Sequence, residues 1–246
     1  MTGTWLITGA SKGIGRSFVE ELVNRGFYVI ATARPSSSLE ELNELTNVTV
    51  FSADLANRSE VAELCKNILE LNRPLNGVIF NAGQISPIDA IYRVNVDDWS
   101  KNIEMNLLSV QHMTKELWPL LCRAERSRIT TISSGASLRA LESWSAYCVA
   151  KAGLDMLAKS IAVEGQLDGI SAISIAPGIV DTSMQLTIRS TPDEKFPMRQ
   201  TFQDYYDNAS LSHPKDVAVR LTPLVLEHSM DQSGQRYDIR DFEVEN

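Results

Sequence analysis

The chain predicts an α/β protein: a single domain on a doubly wound parallel sheet of about seven strands, with helices on both faces. Three observations predict it. Short apolar, β-rich runs alternate with helical patterns along the 246 residues. The runs read as buried strands, as a sheet covered on both faces requires. The residues able to do chemistry fall just beyond them, at Gly9, Asn81, Ser134 and Pro177, where such sheets offer the carboxyl ends of their strands to a ligand.

The elements follow in order from apolar periodicity. Trp5-Leu6-Ile7 is the first strand, and a glycine-rich turn leads into a helix over 14–24. A second strand covers 28–32, a short helix 39–45, and a third strand 48–52. A helix over 59–71 precedes the fourth strand, Gly77-Val78-Ile79-Phe80. A long helical stretch spans 97–122, the fifth strand 128–133, a second long helix 143–166, and the sixth strand 170–175. Residues 183–212 lack a sustained period and read as irregular, a segment long enough to be a lid. A helix over 214–227 and a short strand near 235–239 finish the chain. Arg34-Pro35-Ser36-Ser37-Ser38 is the nearest thing to a linker and is too short to divide it. Residues 1–246 are therefore expected to form one domain.

Bulk properties narrow the function. Thirty-one acidic against 23 basic residues leave a formal charge of −8, which opposes non-specific binding to nucleic acid or an anionic membrane. No apolar stretch approaches a membrane span. The first strand begins by about Thr4, leaving no room for a secretory signal. Cys65, Cys122 and Cys148 are scattered, with no C-x-x-C pair, so neither a disulfide framework nor a zinc site is expected, and a reducing cytoplasm is the expected compartment. His112, His213 and His228 read as surface residues, and no metal site is expected.

The turn after the first strand reads Thr8-Gly9-Ala10-Ser11-Lys12-Gly13-Ile14-Gly15. Glycines let a backbone turn sharply and approach a diphosphate, and the following helix offers its N–H groups and positive dipole end. An NAD site wants an acid about 20 residues on, for the ribose 2′-OH. Here the second strand ends Ala31-Thr32-Ala33-Arg34, and Lys12 lies inside the loop. Two cations at these places suit a 2′-phosphate, so the expected cofactor is NADP(H). Asp54-Leu55, after the third strand, is placed to meet the adenine edge or to lie at a helix N-cap.

Tyr147-Cys148-Val149-Ala150-Lys151 carries a phenol and an amine one helical turn apart, with Ser134 thirteen residues before the tyrosine. A nearby ammonium favours the phenolate and is expected to lower the tyrosine pKa. Ser134 can hold a substrate oxygen against Tyr147, and Lys151 can reach a nicotinamide ribose. Asn106 is a polar residue in an apolar helical stretch and needs a hydrogen-bond partner.

As a set, Thr8 to Gly15, Asp54, Asn81-Ala82-Gly83, Asn106, Ser134, Tyr147, Lys151, and Pro177-Gly178-Ile179-Val180 with Thr182 resemble the short-chain dehydrogenase/reductase family over essentially the whole chain. The resemblance implies a Rossmann fold, a nicotinamide-dependent oxidoreductase, and a catalytic tetrad of Asn106, Ser134, Tyr147 and Lys151. It also implies that Asn81 borders the cofactor, that 177–182 meets its nicotinamide end, and that bases such as Lys12 and Arg34 go with NADP(H). Trp144 before the tyrosine, the 176–182 segment and Ser233-Gly234-Gln235 resemble the benzil reductase and sepiapterin reductase branch. There a C-terminal aspartate anchors a pterin. Asp241 falls near that place, but Gln235-Arg236-Tyr237 departs from the sepiapterin pattern, so Asp241 is read as a surface acid.

The apolar content of 183–212, which includes Met184, favours a lid over an apolar substrate, with Trp144 and Leu138 opposite. Family members commonly pair through their long helices, which implies a homodimer or homotetramer. The leading function is reduction of a small ketone or diketone by NADPH. Oxidation of a secondary alcohol, sepiapterin-type pterin reduction, and a non-catalytic NADPH sensor are the alternatives.

Overall fold

The computed structural model describes residues 3–242. Seven strands form one sheet: β1 (Thr4–Thr8), β2 (Tyr28–Ala33), β3 (Val48–Ser52), β4 (Gly77–Phe80), β5 (Ser127–Ile132), β6 (Ile170–Ala176) and β7 (Arg236–Asp238). Their order is β3-β2-β1-β4-β5-β6-β7, and every neighbouring pair is parallel. The order reverses between β1 and β4, which opens a crevice at the carboxyl ends of those strands.

Nine α-helices accompany the sheet among the described residues: α1 (Gly13–Asn24), α2 (Ser37–Glu40), α3 (Arg58–Glu70), α4 (Val96–Ile103), α5 (Ser109–Leu121), α6 (Ser145–Glu164), α7 (Ser183–Arg189), α8 (Arg199–Asp207) and α9 (Pro214–Glu227). Side chains alternate across each strand, so the strands feed two cores. Leu6, Ile30, Val78 and Ile129 point to the face covered by α3, α5 and α6, against Ile68, Met113 and Leu154. Trp5, Ile7, Val29 and Ile173 point to the face covered by α1 and α9, against Phe18, Leu22 and Leu221. A third apolar cluster, with Ile85, Trp144, Tyr147, Ile188 and Phe196, stands at the carboxyl edge.

The helical stretch expected over 97–122 is present, with α4 and α5 joined without a break by a wider π turn over Glu104–Leu108 that contains Asn106. Two sequence expectations need correction. Residues 183–212 are not irregular, because they contain α7 and α8, whose one to two turns are too short to show a period. His228 is not on the surface; it closes α9 at 1 % exposure, and burial pushes its pKa down to about 4. No helix among the described residues is long and apolar enough to cross a membrane.

Candidate active site

The turn between β1 and α1 is shaped by close packing. Gly9 has φ +67°, in the left-handed region that favours glycine. A Cβ on Gly15 would lie 2.3 Å from the Gly9 carbonyl and 2.5 Å from Asn81 Nδ2, so the helix meets the turn only where no side chain intervenes. Asn81 ties β4 to this turn, its Nδ2 donating to the carbonyls of Thr8 (2.9 Å) and Gly9 (3.3 Å). Thr8 Oγ1 accepts from the backbone N–H groups of Asn81 and Ala82. Ser36, Asn57 and Asn95 cap α2, α3 and α4 with their side chains. Lys12 stands at the same position of α1 and makes no such bond, which leaves first-turn N–H groups for a ligand.

This turn forms the middle of a cavity of about 1100 Å³. Ser11, Lys12, Gly13 and Ile14 line it, with Arg34, Asp54 and Leu55 at one end. Among the described residues neither Lys12 nor Arg34 takes part in an ion pair, whereas Arg16 is held by Glu20 and Glu41. Asp54 is not an N-cap: Asn57 caps α3, and Asp54 accepts from the Ala56 N–H instead. Toward the other end the wall is built by Asn81, Ala82 and Gly83, and by Pro177, Gly178, Ile179, Val180 and Thr182. Gly15 does not line the cavity; it is buried behind the turn.

Ser134, Tyr147 and Lys151 all line that second end. Tyr147 and Lys151 lie one turn apart on α6, and the Lys151 ammonium is 5.6 Å from the Tyr147 ring centroid. Lys151 Nζ donates to the Ile132 carbonyl at 2.8 Å. Ser134 Oγ accepts from the Ala136 N–H at 3.1 Å, which leaves its hydroxyl proton for another acceptor. The Tyr147 hydroxyl faces Met184 Sδ at 3.9 Å.

The electrostatics differ from the sequence expectation. Burial pushes the Tyr147 phenol up to about 12, with the Ser134 hydroxyl acting against the rise. Burial also pulls Lys151 down to about 8, against the Asp155 carboxylate, which raises it. Loss of water around both groups outweighs the attraction between phenolate and ammonium. Tyr147 therefore keeps its proton at neutral pH instead of lying poised to lose it.

Asn106 is placed differently from the other three tetrad residues. It is fully buried and does not line the cavity. Its Nδ2 donates to the Gln84 carbonyl (2.9 Å) and to Asn102, and its Oδ1 accepts from the Gln84 N–H (3.0 Å). It braces the loop after β4, behind Gly83.

The apolar end of the cavity is aromatic. Trp144 stacks on Phe196 (5.1 Å, 11°), packs on Phe202 (5.3 Å) and meets Tyr147 edge-on (5.9 Å). Met184, Ile188, Met198 and Phe202 of the 183–212 segment line the wall. Leu138, expected there, points out at 70 % exposure and is not part of it. Tyr205 of the same segment also lines the wall, and sequence reasoning missed Ile85, Asp238 and Arg240, which line the cavity too. No sequence motif marked them; Asp238 and Arg240 pair with each other at 2.6 Å.

Comparison with known proteins decides the family. The family model described as short chain dehydrogenase matches residues 4–193. The chain belongs to the short-chain dehydrogenases. This short-chain dehydrogenase is 33% identical over 245 residues to a benzil reductase ((S)-benzoin forming) of Saccharomyces cerevisiae, covering 94% of this chain and 93% of the relative. It is 30% identical to an NADPH-dependent pterin aldehyde reductase of Arabidopsis thaliana over 74% and 76% of the two chains. The crystal structure of the KRED1-Pglu enzyme superposes with a TM-score of 0.88 at 29% identity, covering 95% and 99%. The branch to which the motifs pointed is the one these relatives represent.

Proposed function

We propose that this short-chain dehydrogenase is a carbonyl reductase that uses NADPH to reduce a small ketone or 1,2-diketone. One observation carries the reading. A phenol, an ammonium and a seryl hydroxyl meet at the apolar end of the cavity whose other end bears Lys12 and Arg34. The residues fit a nicotinamide dinucleotide on three grounds: the α1 N-terminus lacks a side-chain cap, a Cβ on Gly15 would fill the turn, and Lys12 and Arg34 take part in no ion pair among the described residues. NADPH, when bound, supplies the hydride. Gly9 to Ile14 would hold the diphosphate, Lys12 and Arg34 the 2′-phosphate, Asp54 and Leu55 the adenine, and the 177–182 segment the nicotinamide end.

The chain's own groups do the rest. Ser134, its oxygen already accepting from Ala136, donates to the substrate oxygen and holds it beside Tyr147. Tyr147, protonated at neutral pH because burial raises its pKa to about 12, gives its proton to that oxygen as charge develops there. Lys151 places a positive charge beside the phenol as the proton leaves. Asn106 positions the loop that carries Gly83. Trp144 and Met184 exclude water and receive the apolar part of the substrate. A protonated Tyr147 is in the state that donation to a carbonyl oxygen requires, and binding without turnover would need no such set of phenol, ammonium and hydroxyl.

The assembly is proposed to be a dimer or tetramer, and the compartment the cytoplasm. The deciding experiment is an NADPH-oxidation screen over ketones, 1,2-diketones, aldehydes and pterins, repeated with NADH. Turnover of a diketone or aryl ketone with NADPH supports the reading. Turnover of pterins alone, or of none of these classes, overturns it.

A further inference from the structure

Arg236 enters the structure from the last strand, far from the reacting residues in sequence, yet it touches two parts of their scaffold. Its Nε donates to Asp155 Oδ2 at 3.1 Å and its Nη2 to the Ser134 carbonyl at 3.1 Å. Nε also approaches Ser137 Oγ at 3.4 Å. Both partners of the ion pair are largely buried, with side-chain exposures of 16% and 11%. Asp155 follows Tyr147 and Lys151 at four-residue spacing, so the three share one face of α6. The other oxygen of Asp155 is buried without a hydrogen-bond partner among the described residues.

A buried ion pair is seldom retained for stability alone, because desolvation cancels most of its attraction. Here the arginine has a second use. The Ser134 carbonyl already accepts from Ser137 Oγ at 2.8 Å and from the Ser137 N–H at 3.1 Å. A guanidinium fork is rigid enough to fix that carbonyl and the α6 carboxylate together, which a lysine ammonium is not. Resting on the proposed reading of the site, we propose that Arg236 and Asp155 are a positioning pair: Arg236 locks the Ser134–Ser137 turn onto α6 so that the serine hydroxyl meets the Tyr147 phenol, and Asp155 holds Arg236 in place.

The groups facing Lys151 are Tyr147 and Asp155 from its own helix, the Ile132 carbonyl of β5, Gly83 behind β4, and, one step further out, Arg236 of β7. Of these, Asp155 is the negative charge that raises the lysine pKa. Removing that charge moves the Lys151 titration to lower pH.

The test compares Arg236→Lys, Asp155→Asn and the neutral pair Asp155→Asn/Arg236→Gln with the unsubstituted protein, on a ketone found by the screen. Arg236→Lys keeps the charge pair and is expected to lower kcat about tenfold, the scale of a small misplacement, while the KM for NADPH and the melting temperature stay near the original. Asp155→Asn is expected to shift the alkaline limb of kcat/KM to lower pH, and Arg236→Lys is not. The double variant removes the Arg236–Asp155 ion pair without stranding either of its two charges, so it carries the kcat and melting-temperature readout should Asp155→Asn fail to fold. A merely structural pair would lower the melting temperature and leave kcat per folded molecule and the pH limb unmoved, which would overturn the inference. Tyr147→Phe is run in parallel. If it retains activity the site reading itself fails; if it loses activity while the pair variants keep kcat and pH profile, only the inference fails.

Discussion

Lys151 is under two opposing pressures. Burial draws its pKa down to about 8, and Asp155 resists the fall. Tyr147, one turn before it, is driven the other way, to about 12. Between neutrality and pH 8 the lysine is charged and the tyrosine protonated, the state that donation to a carbonyl oxygen requires. Above about 8 the lysine loses its proton while the tyrosine keeps its own. Reductive kcat/KM, measured against pH, should therefore hold a plateau near neutrality and fall once Lys151 titrates; a plateau running well past pH 8 would deny the lysine charge a role. At the far end of the cavity, Arg34 has no acidic partner among the described residues to compete with a 2′-phosphate. Arg34→Asp should cut the preference for NADPH over NADH about 10- to 100-fold, as loss of one charge-assisted hydrogen bond and gain of a repulsion would. An unchanged preference in cofactor kinetics would refute the 2′-phosphate role.

At the scale of elements, the 183–212 segment shows what periodicity misses. Its helices α7 and α8 each complete only one or two turns, and Ile188, Phe196 and Phe202 of the segment join one apolar cluster with Trp144. Phe196 is 0 % exposed at the centre of that cluster. Phe196→Ala should cost about 3–5 kcal/mol of local packing. Limited proteolysis should then cut within 183–207 faster, and the KM for an apolar ketone should rise while NADPH binding holds. Faster cutting elsewhere, with the segment intact, would contradict a separately anchored lid. The strands and long helices were legible because each carries enough residues for its period to register, and their ends fall within two residues of expectation. The π turn over Glu104–Leu108 was not, because one extra residue per turn leaves no mark on an apolar pattern. The wall residues Asp238 and Arg240 were illegible for another reason: they reach the cavity through tertiary packing from a segment with no motif of its own. The glycine turn and the serine, tyrosine and lysine were legible because their spacing is dictated by local geometry.

At the scale of the whole molecule, α6 presents an exposed apolar stripe among the described residues. Val149, Met156 and Val163 stand at seven-residue intervals on α6, and Leu167 continues the line at 99 % exposure. Such a stripe on a long helix is larger than scattered surface residues explain, and a second copy of the chain offers the same face for a two-fold contact. Light scattering after size exclusion should give at least twice 27.3 kDa, and a mass near 27.3 kDa itself would contradict the assembly. On the same scale, the cavity crosses the sheet where strand order reverses, so cofactor and substrate ends are held by elements from both halves of the chain. That arrangement lets a single side chain be removed from one end without disturbing the other. The most direct measurement uses it: Tyr147→Phe, with NADPH binding followed by fluorescence and reduction followed by NADPH oxidation on the same sample. The account predicts unchanged NADPH affinity and a fall in kcat of about 10²- to 10⁴-fold, the usual weight of a general acid; reduction continuing at the original rate would contradict it.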